Sequence, residues 1–87
     1  MKAENDSRFH LVAVERSLAN VPLNHSFRVT GLNGPKQDCD RLLDLGFTPG
    51  EDVTVTLAAP FGDPLVVRVR GALLALRKRE AAWIRVE

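Results

Sequence analysis

Few residues in this sequence could act as a nucleophile, a base or a metal ligand. The candidates are one cysteine, Cys39, and two histidines, His10 and His25. They lack the close paired spacing of structural zinc sites, and no Gly-x-x-x-x-Gly-Lys phosphate loop occurs. Cys39 lies at helical spacing from Leu42 and Leu43, which favours a buried apolar role for it. We therefore predict no enzymatic activity and no required cofactor, and leave open weak or adventitious divalent metal binding at His10, His25 or Cys39.

A short loop that contains two prolines is the first candidate for a binding role. Residues Ala58 to Pro64 separate two strand-like segments, and Pro60 and Pro64 restrict the backbone between them. An aromatic side chain on a stiff loop, such as Phe61, loses little conformational entropy on binding. We predict that Pro60, Phe61 and Asp63 bind a partner, with the alternative that Phe61 folds back as a lid over one end of the domain.

Basic residues accumulate towards the end of the chain. The formal net charge is only +1, but from Leu65 onward there are six basic residues and two acidic ones. Arg77, Lys78 and Arg79 are adjacent and predict a docking face for an acidic partner. A solvated surface, or pairing between Arg77 and Glu80, would also explain them. The small total charge and the scarcity of aromatic residues argue against a nucleic-acid partner.

The elements that would position these residues can be predicted from local patterns. The chain of 87 residues is long enough for one small domain. About five strands are predicted: residues 26–30 and 52–57 alternate between polar and apolar, and residues 65–70, the short apolar run 72–76 after Gly71 and residues 83–86 are the other three. Pro35, the apolar spacing and Gly46 predict a helix over residues 36–45, and residues 77–82 predict a short helical turn. Because each strand has one apolar face, we expect a mainly β fold, curled into a small barrel with an inserted helix.

The first residues are predicted to be an extension ahead of the domain. Residues 1–16 are expected to be partly disordered and residues 17–87 to form the barrel. The period of Phe9–Val14 fits a strand or the start of a helix equally. No apolar run is long enough to span a bilayer, and no signal-peptide pattern occurs. The single cysteine fits a reducing cytosol, so we expect a cytoplasmic location without membrane insertion.

Three ordered motifs resemble elements of the FeoA family, the small ferrous iron transport protein A. Leu42–Gly50 is similar to the family's RLxxLGFxPG element, and Ala59–Pro64 to its APxGDP loop. Ala75–Ala81, followed by Ile84–Val86, looks like its aLRxxEAxxIxV close. The resemblance covers Ser17–Glu87 and implies an SH3-like barrel in the bacterial cytosol.

The resemblance also implies a protein partner. That partner is ferrous iron transport protein B, a membrane protein with a cytosolic GTPase domain that moves Fe²⁺ inward, and the A protein is regarded as its accessory or regulator. The chain would then lie at the inner membrane through this partner, as a monomer or weak dimer. Arg77 or Arg79 could act on the GTPase in trans. The alternative is an SH3-like module that works with a metal-dependent transcriptional regulator or nucleic acid.

Overall fold

The structure, a computed structural model, describes residues 16–87. The helices and strands are β1 (Arg16–Ser17), β2 (Ser26–Leu32), α1 (Lys36–Asp44), β3 (Asp52–Ala58), β4 (Leu65–Val69), β5 (Ala72–Leu76), α2 (Lys78–Ala81) and β6 (Ile84–Val86). Two 3₁₀ turns lie at Leu18–Asn20 and Pro60–Gly62. The strands form one antiparallel sheet in the order β1-β6-β2-β3-β4-β5. The predicted mainly β fold with an inserted helix is confirmed.

The number of strands differs from the prediction by one. β1 has only two residues, Arg16 and Ser17, and pairs with β6. A strand of two residues cannot be detected by alternation, because the polar and apolar pattern has a period of two residues and needs at least one repeat to be recognised. The prediction for Phe9–Val14 and the candidate ligand His10 lie outside the described residues.

The core is built from alternate residues of the strands and from one side of α1. Its buried apolar members are Leu18, Val29, Leu42, Phe47, Val53, Val55, Leu65, Val67, Val69, Leu76, Ala81, Ile84 and Val86. Phe27 packs against the margin of this core and is half-buried. Most of these side chains are β-branched or branched at Cγ, which suits the pleated surface of a small curled sheet.

β3 departs from the unbroken alternation that its sequence suggests. Val53 and Val55 are buried, and the same period would bury Leu57. The register with β4 shifts between Val55 and Leu57, which marks a bulge or irregularity. One extra residue reverses the side of the sheet to which the following side chains point. As a result the side chain of Leu57 is 58% exposed.

α1 contributes a single buried leucine to the core. Leu42 is buried, whereas Leu43 and Leu45 are both 37% exposed. Leu43 is one helical position, about 100°, further round the axis. Leu45 occupies the C-cap, where the chain turns away. Leu45, the last residue of the predicted helix, therefore does not fill the core, and Pro35 is the N-cap of α1.

A glycine ends α1 as the sequence predicts. Gly46 has φ +113°, its N–H donates to the carbonyl of Leu43, and the N–H of Phe47 donates to the carbonyl of Leu42. This pattern of hydrogen bonds is a Schellman motif. It directs the chain into the turn Thr48–Glu51 and buries Phe47.

β4 and β5 form the tightest hairpin of the described chain. Val69 pairs with Ala72, and the two residues between them, Arg70 and Gly71, have φ +52° and +80°. Two successive positive φ values define a type I′ turn, whose twist matches that of the strands. Among residues 16–87, neither helix is long and apolar enough to cross a membrane.

Candidate partner-binding surface

The loop between β3 and β4 presents Phe61 to solvent. The Phe61 side chain is fully exposed, with a relative accessibility of 102%, so the alternative that it forms a lid over the barrel is wrong. The loop itself is fixed by hydrogen bonds: the N–H of Gly62 donates to the carbonyl of Ala59 at 2.7 Å, and the N–H of Ala59 donates to the carbonyl of Pro64 at 3.0 Å. The predicted stiff loop thus carries an exposed aromatic ring.

The backbone of Phe61 adopts a conformation that phenylalanine rarely takes. Its φ is +69° and its ψ is 10°, in the left-handed region. A bulky residue there is an outlier, because its Cβ crowds the following carbonyl. Such outliers concentrate at binding and catalytic sites, where the surrounding structure holds them in place. Phe61 is therefore held outward by the loop and not by contacts of its ring.

The loop is joined to the start of α2. The main-chain N–H of Lys78 donates to Oδ1 of Asp63 at 3.0 Å, so the Asp63 carboxylate satisfies one of the unpaired donors of the helix. A Cβ atom on Gly62 would lie 3.8 Å from Nζ of Lys78. The two predicted sites therefore form one continuous surface, which we call the loop–helix surface and which consists of Pro60–Asp63 and Arg77–Arg79.

The ion pairing at this surface differs from the Arg77–Glu80 side-chain pair that the sequence suggests. Glu80 accepts a hydrogen bond from the main-chain N–H of Arg77 at 2.9 Å, while its other oxygen pairs with the guanidinium of Arg41 on α1. Glu80 is thus engaged at both oxygens and leaves the exposed Arg77 and Lys78 side chains directed to the surface.

Arg79 has a more structural position than its two neighbours. Its guanidinium lies over the ring of Trp83, 5.9 Å from the centroid, which is the distance of a weak cation–π contact. The Trp83 ring also packs on Gly34, where a Cβ would lie 2.6 Å from the ring. Arg79 is still exposed, but its planar group is partly occupied by Trp83.

Among the residues that the structure describes, the candidate ligands His25 and Cys39 belong to no cluster that could hold a metal ion. Within residues 16–87, no three histidine, cysteine or acidic side chains converge as metal ligands would. His25 is exposed in the loop before β2, and Cys39 is half-buried on α1 as a free thiol. The Lys36 ammonium donates to Asp40 at 2.8 Å, which raises the pKa of Lys36, but this pair lies on α1 and not on the loop–helix surface.

Two features of the surroundings were not predicted. The Arg41–Glu80 contact joins residues 39 positions apart, and no local pattern encodes such a pair. Leu57 and Leu73 are both 58% exposed on β3 and β5. The composition of β5, five apolar residues without a charge, is the signal that could have indicated an exposed apolar strand.

Comparison with known proteins places most of the chain in one family. The FeoA domain profile matches residues 16–87. A FeoA-like protein from Clostridium acetobutylicum superposes with a TM-score of 0.77 at 33% identity, over 84% of this chain and 85% of that one. A zinc-complexed FeoA from Stenotrophomonas maltophilia, described as a procaryotic SH3 domain protein, superposes with a TM-score of 0.75 at 33% identity, over 83% of this chain and 89% of that one.

A longer relative combines two functions in one polypeptide. The fusion of Fe(2+) transport protein A with the Fe(2+) transporter FeoB from Porphyromonas gingivalis is 40% identical over 47 residues, which is 54% of this chain but 6% of the relative. A manganese-dependent transcriptional repressor has the same fold, with a TM-score of 0.74 over 84% of this chain and 41% of its own, at 18% identity. The predicted resemblance and the SH3-like barrel are confirmed, and the chain belongs to the FeoA domain family.

Proposed function

We propose that this chain is a non-enzymatic accessory protein of ferrous iron uptake that binds the transporter FeoB from the cytoplasmic side. The fusion protein of Porphyromonas gingivalis supports this pairing, because it holds the two components in one polypeptide. Domains that are fused in one relative act at close quarters there, and two separate chains need a docking surface to achieve the same proximity.

The exposed Phe61 ring is the observation that carries the proposal. The ring makes no contribution to the core, yet the loop holds its backbone in a disfavoured conformation. Aromatic anchors of this kind contribute a large share of the free energy of protein association. Arg77 and Lys78 belong to the same loop–helix surface and would add attraction to an acidic partner surface.

Binding would act on the transporter by shifting the balance between its conformations. A ligand changes such a balance only through its different affinity for the two states, typically by about 1–3 kcal/mol. The chain would reside in the cytoplasm and reach the inner membrane through FeoB. It requires neither a bound cofactor nor chemistry of its own for this role.

The test is a titration of the full chain with purified FeoB or with its soluble GTPase domain. Phe61→Asn removes the ring but suits a left-handed backbone, so we expect affinity to fall at least about tenfold. Leu43→Asn is the matched control, because it removes an exposed apolar side chain on α1, and we expect it to bind like the wild type. Equal affinity for the two variants would remove Phe61 as the anchor, and no binding by the wild type would overturn the proposal.

A role for an arginine in GTP hydrolysis can be tested with the same components. Arg77 is the better candidate than Arg79, because the guanidinium of Arg79 lies over Trp83. If Arg77 stabilises the transferred phosphoryl group, Arg77→Ala lowers the hydrolysis rate at saturating protein by a factor of about 10³ or more. Arg28→Ala on β2 removes another exposed arginine and serves as the control. Unchanged hydrolysis in Arg77→Ala would limit this arginine to docking.

A further inference from the structure

The edge of the sheet at β5 offers main-chain groups for pairing. β5 pairs with β4 on one side and with no other strand among residues 16–87. Val69 and Ala72 close a two-residue turn and are therefore a hydrogen-bonded pair. Since antiparallel ladders alternate, the N–H and carbonyl groups of Leu73 and Ala75 point away from β4. This edge presents two donors and two acceptors in the geometry of a strand.

β5 lacks the features that usually prevent an edge strand from pairing. Its five residues, Ala72–Leu76, are all apolar, and no proline, lysine or register shift interrupts them. The outward side chain of Leu73 is 58% exposed. Leu57 and Ala75 flank Val66 in register across the same outward side of the sheet, so the apolar surface continues beyond the edge. Natural proteins block such edges unless the edge is used.

The charges around β5 select the partner. Arg68 lies opposite Leu73, Arg70 precedes the strand, and Arg77 and Lys78 follow it, all of them exposed. A second copy paired antiparallel about Leu74 would set the Arg70 end of each strand against the Lys78 end of the other, and like charges opposite each other destabilise a pair. Acidic residues at both ends of a pairing segment would instead meet cations.

We infer that β5 binds an extended segment of another protein, which adds to the sheet as a further strand. The segment pairs main chain to main chain with Leu73 and Ala75, and it carries carboxylates on both sides of a short alternating apolar stretch. The inference concerns the chemistry of the ligand and stands whether or not FeoB supplies the segment. The cations at both ends of β5 give the interaction its specificity for an acidic segment, while the main-chain hydrogen bonds and Leu73 hold the segment.

The test uses a short synthetic peptide in which valine and threonine alternate between glutamates at both ends. Addition of this peptide to the full chain should slow amide hydrogen exchange at Leu73 and Ala75, whose N–H groups face the edge, while Leu74 is already paired with β4. A peptide with lysines in place of the glutamates should bind at least about tenfold more weakly, because each of several end charges changes sign.

Two variants separate the main-chain and charge contributions. Ala75→Pro removes an N–H that faces the edge without removing a hydrogen bond to β4, and it should abolish binding while the spectrum of the core is retained. Arg77→Gln should lower the affinity for the glutamate peptide by up to about fivefold, whereas Arg28→Gln on β2 should leave that affinity unchanged.

Each other outcome overturns the inference in a defined way. Binding without added protection at Leu73 and Ala75 would mean contact by side chains alone. Equal affinity for the glutamate and lysine peptides would remove the acidic specificity. Protection that rises with protein concentration in the absence of peptide would assign the edge to a second copy, and protection at low concentration would assign it to another part of the same chain.

Discussion

Phe61 has an unfavourable backbone conformation and a side chain that does not contribute to the core. The left-handed conformation costs a non-glycine residue about 1 kcal/mol or more. Burial of a phenylalanine ring would offset that cost, but this ring is fully exposed. This position is therefore expected to lower the stability of the isolated domain, which is consistent with the binding role that we propose for it.

Phe61→Asn should raise stability at the same time as it lowers partner binding. Asparagine tolerates a positive φ, and no ring contacts are lost, so we expect the free energy of unfolding to rise by about 0.5 kcal/mol. Urea denaturation followed by circular dichroism measures the change. A decrease of more than about 1 kcal/mol would show that the ring packs against the domain in solution.

Leu42 and Leu43 are adjacent leucines with different surroundings. Leu42 is fully buried, whereas Leu43 is 37% exposed. We expect Leu42→Ala to lower the free energy of unfolding by about 2–5 kcal/mol, because it leaves a cavity in a small core. Leu43→Ala should cost less than about 1 kcal/mol. Urea denaturation of both variants tests whether Leu42, and not Leu43, faces the core. Similar losses of stability in the two variants would contradict this orientation of α1.

At the scale of the elements, the end of α1 depends on a residue without a side chain. Gly46 has φ +113°, and a Cβ there would lie 2.9 Å from Cδ of Arg70. Gly46→Ala should therefore lower the free energy of unfolding by about 1–3 kcal/mol. Gly31→Ala is the control, since a Cβ on Gly31 meets nothing within 4 Å and its φ is not positive. Equal effects in thermal or urea denaturation would refute the strain argument.

A carboxylate on α2 pairs with an arginine on α1. Glu80 accepts the N–H of Arg77 and pairs with Arg41 on α1. A double-mutant cycle with Arg41→Gln and Glu80→Gln should give a coupling of about 0.5–1 kcal/mol, because the arginine is about half exposed. The coupling should shrink as salt is added. No coupling at low ionic strength would mean that the pair contributes no stability.

The elements that could be predicted from the sequence are those set by neighbouring residues. The end of α1 at Gly46 and the turn after Pro49 follow from single residue types, and the strands follow from alternation. The outward position of Leu57 could not be predicted, because it depends on the register with β4. The joining of Asp63 to Lys78 was also missed, since that contact requires the folded sheet to bring the loop to α2.

At the scale of the whole molecule, the two proposed binding surfaces are adjacent, and exposed cations lie at their junction. The loop–helix surface and the β5 edge meet where Leu76 is followed by Arg77 and Lys78. The formal net charge is only +1, so attraction to a partner arises from the local excess of cations and not from the protein as a whole. Local electrostatic fields of this kind mainly raise the rate at which two partners encounter each other.

Association with FeoB should therefore depend on salt through its rate of formation. We expect the association rate constant to fall several-fold between low and physiological ionic strength, while the dissociation rate constant changes little. Surface plasmon resonance at graded salt concentrations measures both rate constants. Arg77→Ala should reduce the salt dependence more than Arg28→Ala does. If salt instead changed mainly the dissociation rate constant, the cations would lie in the buried centre of the interface.

Trp83 is the only tryptophan in the sequence, and its indole packs on Gly34 and carries the guanidinium of Arg79 over its ring. Indole fluorescence responds to the polarity and charge around the ring. A ligand that draws Arg79 away would alter the emission while the fold stays intact, and unfolding would alter it differently by exposing the whole ring to water. The protein thus carries an intrinsic optical reporter beside its loop–helix surface, so binding and folding can be followed in the unlabelled chain.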